Sequence, residues 1–174
     1  MIYKTISISA GENTSVELFL YIIDNSVELK PDRQRPIIII CPGGGYCMTS
    51  DREAEPVALQ YLAMGYHTAI LRYSVKPAKY PAALLELGTA VKYLKEHARE
   101  YHIDPRNIFL QGFSAGGHLA GCLGVLWNTP WLGLSLANSE TSDPSGNILE
   151  TECQSWLKLA DNWIKLFLQE AYLC

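Results

Sequence analysis

The 174 residues suffice for one domain with a real core and are too few to expect two. Apolar side chains make up 48% and charged ones 18%, a globular balance that excludes a disordered chain. A formal net charge of −4, with no run of Lys or Arg, argues against nucleic acid or an anionic membrane surface as a partner.

Met1 to Ser7 shows neither a basic start followed by an apolar core nor a small-residue cleavage site, so no secretory signal is read there. Val16, Leu18, Leu20 and Ile22 alternate with Glu17, Phe19, Tyr21 and Ile23, a period of two that predicts a strand. Its expected partner is Tyr3–Ser9, reached through the turn Gly11-Glu12-Asn13. Ile37 to Cys41 reads as a strand buried on both faces, and it is far shorter than the roughly 20 apolar residues that a membrane-spanning helix needs. After glycines 43–45, Ser50-Asp51-Arg52-Glu53 has the capping-box pattern and predicts a helix that ends near Gly65. His67 to Leu71 is the next strand. Pro81 suits the first turn of a helix whose Leu84, Leu87, Val91, Leu94 and Ala98 recur at intervals of three and four. Asp104 to Asn107 is expected to break the chain before a short strand at Ile108 to Leu110, and His118 to Leu126 continues as helix. Two antiparallel strands followed by repeated strand–helix units predict an α/β fold, a mostly parallel sheet with helices on both faces and an antiparallel N-terminal edge.

Gly112-Phe113-Ser114-Ala115-Gly116-Gly117 sits between a predicted strand and a predicted helix. A serine hydroxyl becomes a useful nucleophile when a tight strand-to-helix turn presents it outside the sheet, and glycines two residues to either side tolerate that turn. The start of the helix adds a favourable field for a developing oxyanion. The competing reading is a glycine-rich helix start in which Ser114 is only a cap. Pro42-Gly43-Gly44-Gly45-Tyr46 directly follows the strand Ile37–Cys41. Consecutive glycines there let backbone N–H groups approach an acyl oxygen without Cβ atoms in the way, so Gly44, Gly45 and Ala115 are the candidate oxyanion donors. A dinucleotide-binding turn fits poorly, because Met48 stands where a third small residue belongs and the next strand ends in Leu71-Arg72 rather than an acid. A purely structural glycine turn is the other alternative.

Together these segments, with Tyr80-Pro81-Ala82-Ala83, Ile103 to Ile108 and His118-Leu119-Ala120, resemble the bacterial esterase/lipase group of α/β-hydrolases, which includes acetyl-xylan esterase-like and sugar-ester hydrolases. The likeness covers residues 15 to 132. It implies a serine-dependent hydrolase of short-chain acyl esters, with acetylated carbohydrates in view, that uses neither a metal nor an organic cofactor. Ser114 would be the nucleophile and a small-molecule ester the partner.

Such a group places its triad acid and histidine after the nucleophile. The four histidines here are His67, His97, His102 and His118, and none lies beyond His118. His118 falls one helical turn past Ser114, about 6 Å along the axis and beneath the site, where the group commonly has a histidine that is not the base. His67, His97 and His102 read as structural or surface residues. The acids that follow are Asp143, Glu150, Glu152 and Asp161. Tyr46 and Trp127 could line a pocket or belong to the core.

Residues 1–132 therefore read as the N-terminal part of the hydrolase core, apparently truncated after the elbow. Residues 133–174 read as a divergent tail of the same domain, with an amphipathic helix on which Trp156, Leu159, Trp163, Leu166 and Phe167 share a face. The tail would equally suit a truncated or frame-shifted product. The alternative function is a catalytically impaired hydrolase fragment or interaction module. Self-association through an exposed sheet edge or the C-terminal helix is expected. An odd count of five cysteines with no C-x-x-C pair points to the cytoplasm.

Overall fold

The computed structural model describes residues 1–10, 15–28 and 30–127. The expected turn at Gly11-Glu12-Asn13, the division after Leu132 and the tail helix lie outside the described residues, as do Asp143, Glu150, Glu152 and Asp161.

Among the described residues five strands form one sheet in the order β1-β2-β4-β3-β5, where β1 is Ile2–Ser9, β2 Ser15–Ile22, β3 Arg35–Cys41, β4 His67–Arg72 and β5 Ile103–Gly112. β1 pairs antiparallel with β2, and β2 with β4. β3 runs parallel to both β4 and β5. The sheet is thus mixed, with a parallel centre entered through an antiparallel edge as the alternation in β2 predicts.

Among the described residues three helices cover it: α1 (Glu55–Ala63), α2 (Ala82–Glu96) and α3 (Ala115–Leu126). Successive strand residues point to opposite faces, and β3 is apolar on both. Ile37, Ile39 and Cys41 join Leu18, Leu20, Leu71, Leu84, Leu87, Leu94, Leu119 and Leu123 in one core cluster beneath α2 and α3. Ile38, Ile40 and Ile70 are buried outside that cluster, on the face that α1 and its buried Ala58 cover. Each fully buried Ile or Leu contributes about 1.5–3 kcal/mol relative to exposure.

Two local expectations are corrected. The capping box does not form: Asp51–Glu53 is a single 3-10 turn, and Ser50 makes no side-chain cap bond. α1 starts four residues later, at Glu55, with Pro56 in its first turn, where a missing N–H costs nothing. The strand expected at Ile108–Leu110 is longer and begins at Ile103. Its register against β3 jumps from Arg35↔Ile103 to Ile37↔Ile108, so residues 104–107 bulge instead of breaking the strand. Asp104 stabilises the bulge by accepting from the Arg106 N–H at 3.0 Å and the Asn107 side-chain amide at 2.9 Å.

Candidate active site

The carboxyl ends of β3 and β5 lie side by side, with Cys41 opposite Gly112, and each strand runs directly into a glycine-containing turn. From β5 the chain passes through Phe113 and Ser114 into α3. The Phe113 N–H donates to the Cys41 carbonyl at 3.1 Å, and the Gly116 N–H donates back to Phe113 O at 2.8 Å. Ser114 is left exposed at φ 48°, ψ −115°, a backbone conformation that side chains avoid and that stores roughly 1–3 kcal/mol. The sequence assigns the glycines a conformational role; the structure gives them a steric one. A Cβ on Gly116 would enter the Cys41 carbonyl, and one on Gly112 would enter the Gly116 carbonyl. The glycines let helix and strands close up, while the serine itself carries the positive φ.

From β3 the chain passes into Pro42 to Tyr46. Gly44, Gly45 and Tyr46 have φ of 137°, 62° and 57° in succession. The near end of this loop is held on several sides. Pro42 O accepts from the buried Tyr73 hydroxyl at 2.5 Å, Gly43 N–H donates to Glu53 Oε2 at 2.8 Å, and Gly43 O accepts from Ser50 N–H at 2.8 Å. Glu53 and Ser50 thus serve the glycine loop instead of capping each other. A Cβ on Gly43 would lie 3.1 Å from Ser114 Cβ, so the loop meets the elbow directly ahead of Gly44. The N–H groups of Gly44, Gly45 and Ala115 donate no hydrogen bond to another described residue. Unpartnered donors beside an exposed serine hydroxyl on a helix N-terminus form an arrangement that can hold a developing negative charge.

The BD-FAE family model matches residues 24–158, most of the chain. This chain belongs to the BD-FAE family. It is 46% identical to MGS-M1, an α/β-hydrolase enzyme from a Medee basin deep-sea metagenome library, at a TM-score of 0.65 over 70% of this chain and 51% of that one. An acetyl ester-xyloside bifunctional hydrolase from Caldicellulosiruptor lactoaceticus is 36% identical at a TM-score of 0.61, over 68% of this chain and 46% of its own. Esterase LipQ of Mycobacterium tuberculosis is 29% identical over 117 residues, 66% of this chain and 28% of LipQ. The BD-FAE chain thus spans about half the length of these solved relatives and less of the curated one. Its α/β-hydrolase fold and its place in an esterase group agree with the resemblance read from the elbow and the glycine loop.

All four histidines of this BD-FAE chain are described, and none is hydrogen-bonded to the Ser114 side chain. His67 is fully buried at the opposite end of β4, where Nδ1 accepts from Ile23 N–H at 3.0 Å. Burial pushes its pKa down to about 4. His97 is stacked on Tyr93 with ring centroids 4.0 Å apart, and its Nδ1 lies 2.9 Å from the Tyr93 carbonyl. His102 adopts φ 53°, and its carbonyl accepts from Arg35 N–H at 2.9 Å. His118 is exposed, and its Nδ1 lies 2.8 Å from the Tyr46 hydroxyl. That contact escapes sequence reasoning, because 72 residues separate its partners. Trp127 and Tyr46 both pack against the core cluster. Cys41, at the end of β3, is fully buried, and burial raises its thiol to about 12, which leaves it inert. An open groove on Thr5, Ser7, Ser15, Glu17 and Arg72 shares no residue with the loop or elbow. Among the described residues no group of three or more His, Cys, Asp or Glu could hold a metal ion, and no helix is long and apolar enough to cross a membrane.

Proposed function

We propose that this chain supplies the nucleophile and the anion-binding backbone of a carboxylic ester hydrolase for short-chain acyl esters, acetyl esters first among them. Ser114 Oγ attacks the acyl carbon, the C–O bond to the alcohol breaks with the serine proton leaving on the alcohol, and water then cleaves the acyl-serine to the free acid and the serine hydroxyl. The N–H groups of Gly44, Gly45 and Ala115 hold the carbonyl oxygen as it gains charge. Loss of one such donor costs roughly 3 kcal/mol of transition-state stabilisation. Acyl transfer of this kind calls for no electron carrier. The observation that carries the reading is the strained, exposed Ser114 set against a fastened glycine loop whose next donors are unspent.

The alcohol portion of the substrate is proposed to be a carbohydrate, in keeping with the acetyl ester-xyloside hydrolase among the similar structures. Cys41, Cys47 and Cys122 are free thiols, which suits a reducing compartment such as the cytoplasm. Association through a sheet edge belongs to the same proposal and is read from sedimentation at several concentrations.

One observation favours a second reading, an impaired hydrolase fragment. Among the described residues, which include all four histidines, no imidazole is hydrogen-bonded to Ser114, so proton removal from Oγ has no histidine acceptor there. A p-nitrophenyl ester series with acyl chains of increasing length, run on the chain and on Ser114→Ala, separates the two. Slow, Ser114-dependent release that is fastest with acetate supports the esterase site. Release unchanged in Ser114→Ala supports the impaired fragment.

A further inference from the structure

The loop that carries Gly44 and Gly45 is tied firmly at its near end. Tyr73, Glu53 and Ser50 hold Pro42 and Gly43, and the Phe113 N–H joins the end of β3 to the elbow. Beyond Gly43 come three consecutive residues with positive φ, a conformation that an unrestrained chain leaves readily. The far end is therefore where the loop needs a hold, and Tyr46 provides two. Its carbonyl accepts from Lys76 N–H at 2.9 Å, on the turn that leaves β4. That turn is itself anchored by the buried Glu86, whose two oxygens accept from Ser74 N–H at 2.7 Å and Ser74 Oγ at 2.5 Å. The Tyr46 hydroxyl reaches instead to α3, at 2.8 Å from His118 Nδ1. His118 belongs to the same helical turn as the serine, since its N–H donates to the Ser114 carbonyl at 3.0 Å.

We propose that Tyr46 and His118 form a positioning pair that keeps the far end of the glycine loop in register with the elbow helix. Donors from two separate elements, Gly44 and Gly45 on the loop and Ala115 on the helix, then hold a fixed separation. The role rests on the ester-hydrolase reading of the same site. The ring geometry fits it: Tyr46 meets His118 edge-on with centroids 6.0 Å apart at 89°, and its other side meets Tyr73 at 5.9 Å. Burial, with Cys122 and Cys41 nearby, raises the Tyr46 hydroxyl above its ordinary range, so it stays protonated and able to share a hydrogen bond with the imidazole. Cys122 Sγ lies on the other flank of the ring, 3.6 Å from His118 Nε2 and 3.9 Å from Nδ1. An imidazole engaged at Nδ1 by Tyr46 is a brace for the loop.

The test is amide hydrogen exchange at Cys47, Met48 and Lys76, whose N–H groups donate to the Gly44 and Tyr46 carbonyls, with the imidazole nitrogen shifts of His118, in the full chain and in Tyr46→Phe, His118→Ala, His118→Asn and the double variant Tyr46→Phe/His118→Ala. Each of the first two should speed exchange at these three amides about tenfold, the loss expected for one hydrogen bond. The double variant should exchange no faster than either single one, because a shared bond is lost only once. His118→Asn should restore protection, since its amide oxygen takes the place of Nδ1. The nitrogen shifts of His118 should change in Tyr46→Phe. Unchanged exchange in both single variants, multiplied effects in the double one, or His118 nitrogen shifts that are the same in Tyr46→Phe would overturn the pair. Acetylation of Ser114 by p-nitrophenyl acetate, followed by mass, is read separately. Its absence from the unaltered chain defeats the esterase reading and leaves the exchange result to decide the pair.

Discussion

At the amino-terminal end of β4, His67 is fully buried and both ring nitrogens are occupied, one by Ile23 N–H at 3.0 Å and the other beside the His102 carbonyl at 3.3 Å. At the carboxyl ends of β3 and β5, Ser114 is exposed at φ 48° and three nearby N–H groups donate to no described residue. One end of the sheet thus engages both ring nitrogens of its buried histidine, although the neighbouring Thr68 hydroxyl is buried without a described partner, and the other end leaves backbone donors open beside an exposed serine. Gly45 is exposed and Gly44 half-buried, so these donors stay open where a ligand can reach them. The contrast also separates two kinds of histidine. His67 serves the fold, and His118 serves the loop beside the serine.

The site end can be broken by crowding it. Gly116→Ala places a methyl group into the Cys41 carbonyl where β3 and α3 touch. Urea unfolding should show a loss on the order of 3 kcal/mol or more, the largest change expected anywhere in the chain. A loss below about 1 kcal/mol would contradict the close approach of α3 and β3 at Gly116.

The opposite end is tested by acid. His67 has an ordinary pKa of 6.5 and a folded value of about 4, lowered chiefly by burial. The unfolded chain therefore binds the extra proton first as pH falls. The stability contributed by neutral His67 is complete above 6.5 and is lost progressively toward 4. Melting temperatures across that window should fall more steeply for the unaltered chain than for His67→Asn. Equal slopes would show that His67 titrates normally.

A smaller change sharpens the comparison. Glycine adopts φ 48° freely, so Ser114→Gly should raise stability by about 1 kcal/mol while abolishing any Ser114-dependent ester cleavage. A stabilised but inactive variant would show that the strain sits at the nucleophile itself. The smallest effect belongs to Asp51→Asn. Its 2.8 Å pair with Arg72 has an aspartate side chain that is 91% exposed, and melting should move by no more than about 0.5 kcal/mol equivalent.

Periodicity made the framework legible. The alternation of Val16 to Ile22, the apolar run Ile37 to Cys41 and the three-and-four spacing of Leu84, Leu87, Val91 and Leu94 predict β2, β3 and α2, and all three are present. Ser114 and the glycine loop were legible because local turns carry local signatures, and the structure brings them together at Gly43. What escaped were interactions between residues distant in sequence. Glu53 reads locally as the end of a capping box, yet its carboxylate is taken by Gly43, ten residues away. Tyr73 to Pro42 and Tyr46 to His118 span 31 and 72 residues. Asp104 to Asn107 read as a break because Pro and Asp discourage a strand, whereas pairing on both sides tolerates the bulge.

The central claim is that Ser114 is a nucleophile beside an anion-binding loop, in a chain that presents it with no imidazole. Intact-mass and peptide mass spectrometry after exposure to p-nitrophenyl acetate tests this most directly. The account predicts one acetyl group per chain, located on Ser114, absent from Ser114→Ala and persisting because no imidazole is set against Ser114 to assist deacylation. No acetyl group on Ser114, or acetyl groups scattered over surface residues alike in both proteins, would contradict the assignment of the nucleophile. Rapid, sustained turnover that Ser114→Ala abolishes would keep the nucleophile and overturn the missing imidazole.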